Sequence, residues 1–258
     1  MPAEHVRRLP GRRACARRIA LPVFAAVLLS ACATTHTYPP SAPHTGKRPA
    51  PKEAEFKGSD LLKSDVDAAA ELHLRESLAS TRLLMEKLYR RNPREFRKAG
   101  HAALEPPVER AFDPRYAFRF HELKGAYGTA AIQLGLAPEY EGDRVFAFSV
   151  GLAGMIVQAY GQRTEIYLTD TLDPQKLYNA ARNVEIAAWK LANARDAKGQ
   201  LLILSNETVG EVSNLSYERE IGKLIAYQDV MALVTAQRTN RTIRRTVQFI
   251  ATAVFLPI

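Results

Sequence analysis

Apolar side chains recur along much of this chain at the three- and four-residue spacing of an amphipathic helix. The first such stretch spans residues 60–91, and one helical face of it carries Leu74, Leu78, Thr81, Met85 and Leu88. Another stretch follows Asp173 and Pro174, which are typical of a helix cap and first turn, and ends at Lys198-Gly199. Its face carries Leu177, Ala181, Val184, Ala188 and Leu191. Each stripe predicts a helix that buries one side.

The remaining elements are less regular. Residues 144–160 form the most apolar internal segment and predict a buried helix, or a short strand that runs into one. Residues 114–136 are interpreted as mainly helical, and Glu105-Pro106-Pro107 as a loop. Residues 201–204 are compatible with one strand. The last stripe predicts a long helix over residues 216–255, with a break allowed near Thr239-Asn240.

These elements predict an all-α, or mostly all-α, fold. We expect a compact bundle of about six to eight helices in a single domain over residues 60–258. Asn92-Pro93 separates the first two helices, because asparagine caps helices and proline suits a first turn. No internal repeat of fixed period is visible, which argues against a helical repeat array.

The amino-terminal region predicts export. Six arginines precede a short apolar run over residues 19–31, which ends in Leu29-Ser30-Ala31 before Cys32. The run is shorter than the roughly 20 residues that cross a bilayer, so it indicates a signal peptide. Its end resembles the lipobox of bacterial lipoproteins. The resemblance implies removal of residues 1–31 and a fatty-acid (palmitate-type) anchor on Cys32. Ala33 after the cysteine favours the outer membrane, facing the periplasm, and the paired arginines leave the export route open.

Cleavage changes the meaning of the charge. The whole chain has a formal net charge of +9. Loss of six arginines and Glu4 leaves 30 basic and 26 acidic residues, a net charge of +4. The basic balance therefore does not indicate nucleic-acid binding. Residues 32–59 contain five prolines and few aliphatic side chains, and this composition predicts a flexible tether.

Cysteine and histidine usage excludes several chemistries. Cys15 leaves with the signal peptide and Cys32 carries the anchor, so no cysteine remains in the predicted domain. Disulfides, thiolate metal sites and cysteine nucleophiles are thereby excluded there. The domain holds three scattered histidines, which do not predict a metal site: His73, His101 and His121. Ser149 in Ala147–Gly151 resembles a hydrolase serine motif, but no histidine follows it in sequence. No cofactor is expected.

Three glutamates are the candidate catalytic residues. Glu76-Ser77 resembles the glutamate-serine pair of lytic transglycosylases. The later Gly-Leu-Met-Gln motif of that family is matched only in part, by residues 151–158. Glu207 and Glu211 form a second pair with a spacing of four. These residues keep open the alternative of a cell-wall enzyme. Another alternative is a helper of a transport system that binds a small ligand near Met155.

Arginines near the carboxyl end form the candidate interaction surface. On a continuous helix, Arg238, Arg241 and Arg245 lie opposite an apolar face. Such a face suits anionic headgroups or an acidic partner. Residues 120–127 and 253–258 resemble stretches of uncharacterised proteobacterial lipoproteins, which implies no activity. The sequence favours a membrane-anchored, non-enzymatic interaction or scaffold protein, with an envelope protein as its partner.

Overall fold

The computed structural model of the protein describes residues 63–207 and 214–258. Within these ranges it contains seven α-helices and no β-strand, which confirms the all-α prediction. They are α1 (Asp65–Arg91), α2 (Pro93–Lys98), α3 (Glu105–Ala111), α4 (Thr129–Gly135), α5 (Arg144–Ala159), α6 (Pro174–Asn193) and α7 (Ser216–Thr239). The predicted signal peptide, Cys32 and the tether lie outside the described residues.

Helix α5 lies at the centre of the bundle because nearly all of its side chains are apolar or small. Of its 16 residues, Gln158 alone is not buried. The helix packs against α1, α2, α3, α4 and α6, so every side of it meets protein rather than water. An isolated helix of this composition would expose its apolar surface, so burial by its neighbours is what stabilises it.

Local capping signals set where several helices begin. Asp143 caps α5, and its Oδ1 accepts a hydrogen bond of 2.9 Å from the backbone N–H of Phe146. Asp173 and Pro174 open α6 as the sequence predicts. Ser64 and Asp67 form a reciprocal capping box at the start of α1. Each signal satisfies backbone N–H groups that have no partner within the helix.

Three predicted elements are wrong in detail, and a fourth is correct in part. Residues 114–136 are mostly turns and short 3₁₀ segments, with α-helix only at α4. The predicted loop at Glu105 is the first turn of α3, where prolines need no N–H partner. Leu201 makes only an isolated bridge with Arg195, and residues 201–204 form no strand. The last helix ends at Thr239, at the predicted break, where Asn240 adopts a left-handed conformation with φ 50°. The predicted continuation to residue 255 is wrong, because only a 3₁₀ turn at Ile250–Thr252 follows.

The chain beyond α7 is extended and returns along the bundle. Residues 241–249 have no helical conformation, and a single 3₁₀ turn follows at Ile250–Thr252. None of the helices in the described ranges combines the length and the apolar character that a membrane span requires.

Candidate interaction surface

The extended carboxyl-terminal segment, residues 241–258, is held on α6 by side-chain amides. Gln175 and Asn183 lie eight residues apart and therefore on one side of this helix. The Nε2 of Gln175 donates to the carbonyl of Arg244 (3.1 Å), and its Oε1 accepts from the N–H of Arg244 (2.8 Å). Asn183 makes the same two-point contact with Leu256, at 2.9 Å to its carbonyl and 2.6 Å from its N–H.

Two further amides extend this row to the last residues. Asn179 donates to the carbonyl of Pro257 at 2.8 Å, and Gln158 of α5 donates to the carbonyl of Ile258 at 3.0 Å. All these bonds involve the backbone of the segment, and the side chains of Ile243, Phe255 and Ile258 add apolar contacts with the core. Asn179 and Asn183 are buried, and they would lose hydrogen-bond partners if the segment left.

We expect Asn183→Ala to release this contact. Leu256 would lose both backbone partners, which we expect to cost about 2 kcal/mol of unfolding free energy. Hydrogen exchange should then show faster exchange of the Leu256 amide. Asn193→Ala is the matched control, because Asn193 lies on the same helix but is exposed and bonds only to Trp189. Unchanged protection of Leu256 in Asn183→Ala would contradict this assignment.

Between these two clamps, residues 245–255 form a loop, called here the C-terminal loop. It has internal order: the N–H of Val254 donates to Oε1 of Gln248 at 3.0 Å, and the N–H of Thr252 donates to the carbonyl of Phe249 at 3.0 Å. Nevertheless three of its apolar side chains face solvent, whereas Phe255 packs against the core. Val247 is 97% exposed, Phe249 77% and Val254 69%. Exposure of this extent means that the side chains project from the loop.

Exposed arginines accompany these apolar side chains. Arg241, Arg244 and Arg245 are all exposed, and no ion pair joins any of them to another described residue. Residues 241–258 contain three arginines and no acidic residue. Residues 241–255 therefore form a surface that carries both positive charge and exposed apolar side chains.

Arg238 differs from the other predicted surface arginines. It lies in the last turn of α7 and donates to the carboxylate of Asp67, which is buried at the start of α1. Burial acts to raise the pKa of Asp67, but hydrogen bonds from Arg238 and Ser64 outweigh it and hold the pKa below its usual value. The predicted continuous helical face is wrong, because α7 ends before Arg241. Arg244, which is not one of the three predicted surface arginines, is exposed together with Arg241 and Arg245.

The predicted catalytic glutamates do not converge. Glu76 is half-buried in the middle of α1. Glu207 pairs with Arg91, the last residue of α1, and its side chain is 46% exposed. Glu76 and Arg91 are separated by about 22 Å of helix. Glu211 lies outside the described residues.

The other candidate residues, a serine, a methionine and the histidines, do not form a common site either. Ser149 and Met155 are fully buried within α5, where neither faces an open cavity. The His121 side chain is almost wholly exposed, and His73 packs edge-on against Tyr227. Among the described residues no three histidine, cysteine, aspartate or glutamate side chains lie close enough to hold a metal ion.

A cavity of about 490 Å³ lies at the amino-terminal end of α5, and none of the predicted functional residues lines it. Asp143 lines the cavity, and its Oδ2 accepts a hydrogen bond of 2.7 Å from the buried hydroxyl of Tyr89. Burial raises the pKa of Asp143 to about 6. Both oxygens of Asp143 already accept from protein donors, because Oδ1 caps α5. Its geometry is therefore that of a structural cap.

Next to Asp143, the fully buried carboxylate of Glu95 accepts hydrogen bonds from basic side chains and a backbone N–H. Lys98 donates to Oε2 of Glu95 at 2.8 Å, and the backbone N–H of Arg144 donates to the same oxygen at 3.0 Å. The Nε of Arg94 lies 3.2 Å from Oε1. These bonds join α2 to the start of α5. The sequence offered one signal for this region, since Asp143 stands directly before an apolar run as a cap residue does.

The fold and its surfaces define a helical bundle with a positively charged, apolar loop. Comparisons with known proteins add no family to that description: no family model, no curated protein and no solved structure matches the chain.

Proposed function

We propose that this protein is a lipid-anchored, non-enzymatic interaction protein of the cell envelope, and that the C-terminal loop is its contact surface. The observation that carries the proposal is the exposure of Val247, Phe249 and Val254 on a loop clamped at both ends. Apolar surface in water costs about 25 cal/mol per Å² relative to burial. A fixed loop that keeps such surface exposed is typical of a binding site.

The predicted anchor supplies the location. Acylation of Cys32 would hold the domain at a membrane surface, and the residue after it favours the outer membrane, with the domain in the periplasm. The proposed partner is therefore another envelope component within reach of the tether.

Two features favour binding over catalysis by the candidate glutamates. Glu207 forms an ion pair with Arg91, and Glu76 is only half-buried on α1, so neither carboxyl has the desolvated setting that a single catalytic acid requires. The carboxyl with the most strongly raised pKa, Asp143, uses both oxygens to hold α5 and Tyr89. Neither arrangement resembles a pair of carboxylates flanking a scissile bond.

Photo-crosslinking in cells tests the proposal. A photoreactive amino acid at position 247 should give specific crosslinked products, because this side chain is almost wholly exposed on the loop. The matched control is position 215, since Leu215 is 50% exposed but precedes α7 and lies outside the loop. Cys32→Ser should reduce the products by removing the anchor, and Phe249→Ser should reduce them by removing the largest exposed apolar side chain of the loop.

Equal crosslinking from positions 247 and 215 would overturn the assignment of the loop. Products from position 247 that survive Phe249→Ser would also contradict it. The melting temperature of each variant should match that of the unmodified protein, because these side chains make few contacts within the fold.

A further inference from the structure

The C-terminal loop is ordered before it meets a partner. Gln175 fixes the backbone at Arg244, and Asn183 fixes it at Leu256. Inside the loop, the turn at Ile250–Thr252 and the bond from Val254 to Gln248 hold its shape. Binding by a preordered loop avoids much of the entropy loss that a flexible segment pays.

The projecting side chains of the loop are apolar and make no directional interactions such as hydrogen bonds. They are aliphatic or aromatic, and Phe249 is the largest of them. Ten of the twelve residues from 241 to 252 are exposed, so most of the loop projects outward. Its inner side lines a cavity of about 310 Å³ against α6, whereas Phe249 and Val254 are not among the lining residues. Anchoring side chains at protein interfaces usually fill well-packed pockets with matched polar partners. A projecting apolar tip suits insertion into a layer that has no fixed shape.

Within residues 241–258, the charged side chains beside this tip are all positive, although Glu185 and Asp229 of the neighbouring helices line the same cavities as Arg245. Arg241, Arg244 and Arg245 precede the apolar positions, and the segment has no acidic residue to neutralise them. Guanidinium groups bind phosphate oxygens strongly and in a two-point geometry. Arginines next to an apolar tip match the order of a lipid layer, with phosphates at the surface and hydrocarbon beneath.

We infer that the C-terminal loop inserts into an anionic phospholipid surface, with Val247 and Phe249 entering the acyl boundary and the three arginines contacting headgroup phosphates. This inference rests on the proposed function and names the partner of the same loop. Because the predicted anchor at Cys32 would already hold the chain at a membrane, even weak binding by the loop would be effective. The loop would then fix which face of the domain meets the bilayer.

Vesicle binding without the anchor tests the inference. The chain from residue 32 onward, carrying Cys32→Ser, is mixed with vesicles of phosphatidylethanolamine and phosphatidylglycerol, and separately with phosphatidylcholine vesicles. We expect binding to the anionic vesicles that weakens as salt is raised. Replacing Arg241, Arg244 and Arg245 with glutamine should weaken binding about a hundredfold, from about fivefold for each arginine near the surface.

A second triple variant controls for net charge. Arg75, Arg97 and Arg219 are exposed residues on other helices, and their replacement by glutamine removes the same charge. We expect this variant to keep most of its affinity. Equal loss from both triple variants would overturn the inference, since it would show attraction by overall charge alone.

Insertion itself has a separate readout. The chain contains one tryptophan, Trp189, so Phe249→Trp in a Trp189→Phe background places a single fluorophore at the loop tip. Its emission should shift to the blue on anionic vesicles and be quenched by brominated lipids. A tryptophan at position 215 in the same background should show neither change. Absence of both changes at position 249 would overturn the inference.

The outcomes separate this inference from the proposed function. If the vesicles do not bind but Phe249→Ser abolishes a crosslinked protein partner, the loop binds protein and the lipid inference is wrong. If crosslinks from position 247 are lost and vesicles also fail to bind, both proposals fail. Vesicle binding that depends on Phe249 and on the three loop arginines supports the lipid assignment.

Discussion

Gly151→Ala is expected to destabilise the protein by about 3 kcal/mol, because α4 and α5 meet backbone to backbone at this glycine. A Cβ atom at Gly151 would lie 2.6 Å from the backbone nitrogen of Ile132 and 2.8 Å from the carbonyl oxygen of Gly128. Neither atom belongs to a flexible side chain, so α4 as a whole would have to move. Chemical denaturation measures the change in unfolding free energy.

Gly222→Ala is the matched control for this substitution. Gly222 lies in α7, it is exposed, and a Cβ atom there would meet nothing within 4 Å. Alanine is a better helix former than glycine by about 1 kcal/mol, so this variant should gain stability. If Gly151→Ala were as stable as Gly222→Ala, the close approach of α4 to α5 would be disproved.

Asp143→Asn is expected to stabilise the protein at pH 8 and to leave its stability nearly unchanged at pH 4. Burial raises the pKa of Asp143 to about 6, above its ordinary value of 3.8. The folded state therefore binds the proton more tightly than the unfolded state, and the free energy of unfolding falls as pH rises from about 4 to about 6. A shift of about two pKa units corresponds to roughly 3 kcal/mol. Above about pH 6, the ionised Asp143 therefore lowers the free energy of unfolding by that amount.

Asparagine at this position keeps the structural contacts. It caps helices as well as aspartate does, and the Tyr89 hydroxyl can accept from its Nδ2. Asp143→Ala is the contrast, because it removes the cap of α5 and leaves the buried Tyr89 hydroxyl without its partner. We expect it to be less stable than the asparagine variant at every pH. Parallel pH profiles for the unmodified protein and Asp143→Asn, from pH 4 to 8, would disprove the role of Asp143.

The sequence predicted those helices whose signals are local. Asp173-Pro174 marks the start of α6, and the structure begins the helix at Pro174. The apolar run from residue 144 was open to two interpretations, and burial on all sides favoured a helix. Asn92 illustrates a partial success. It separates α1 from α2 as predicted, but its side chain bonds to the backbone of Leu88 and Leu204 rather than capping α2.

The carboxyl-terminal segment shows why a periodic pattern can mislead. Its arginines and aliphatic residues keep helical spacing after Asn240, and a helical wheel therefore gave two faces. The same stretch contains the β-branched residues Thr242, Ile243, Thr246 and Val247, which have weaker helix propensity. The amides of Gln175 and Asn183 then satisfy an extended backbone there. No local pattern contains that information, since the contacting residues are 69 and 73 positions apart in the chain.

By itself, the sequence determined the helical class, several helix starts and the buried character of α5, because caps and apolar spacing act between residues close in the chain. It also contains, outside the described residues, the pattern from which we predict export, acylation and an envelope location. Only the tertiary structure decided which arginines are free and where the apolar carboxyl-terminal residues face. Arg238 bonds to Asp67, which is 171 residues away in sequence, whereas Arg241, Arg244 and Arg245 remain exposed. Such pairings depend on which helices pack together, and packing is a property of the whole fold.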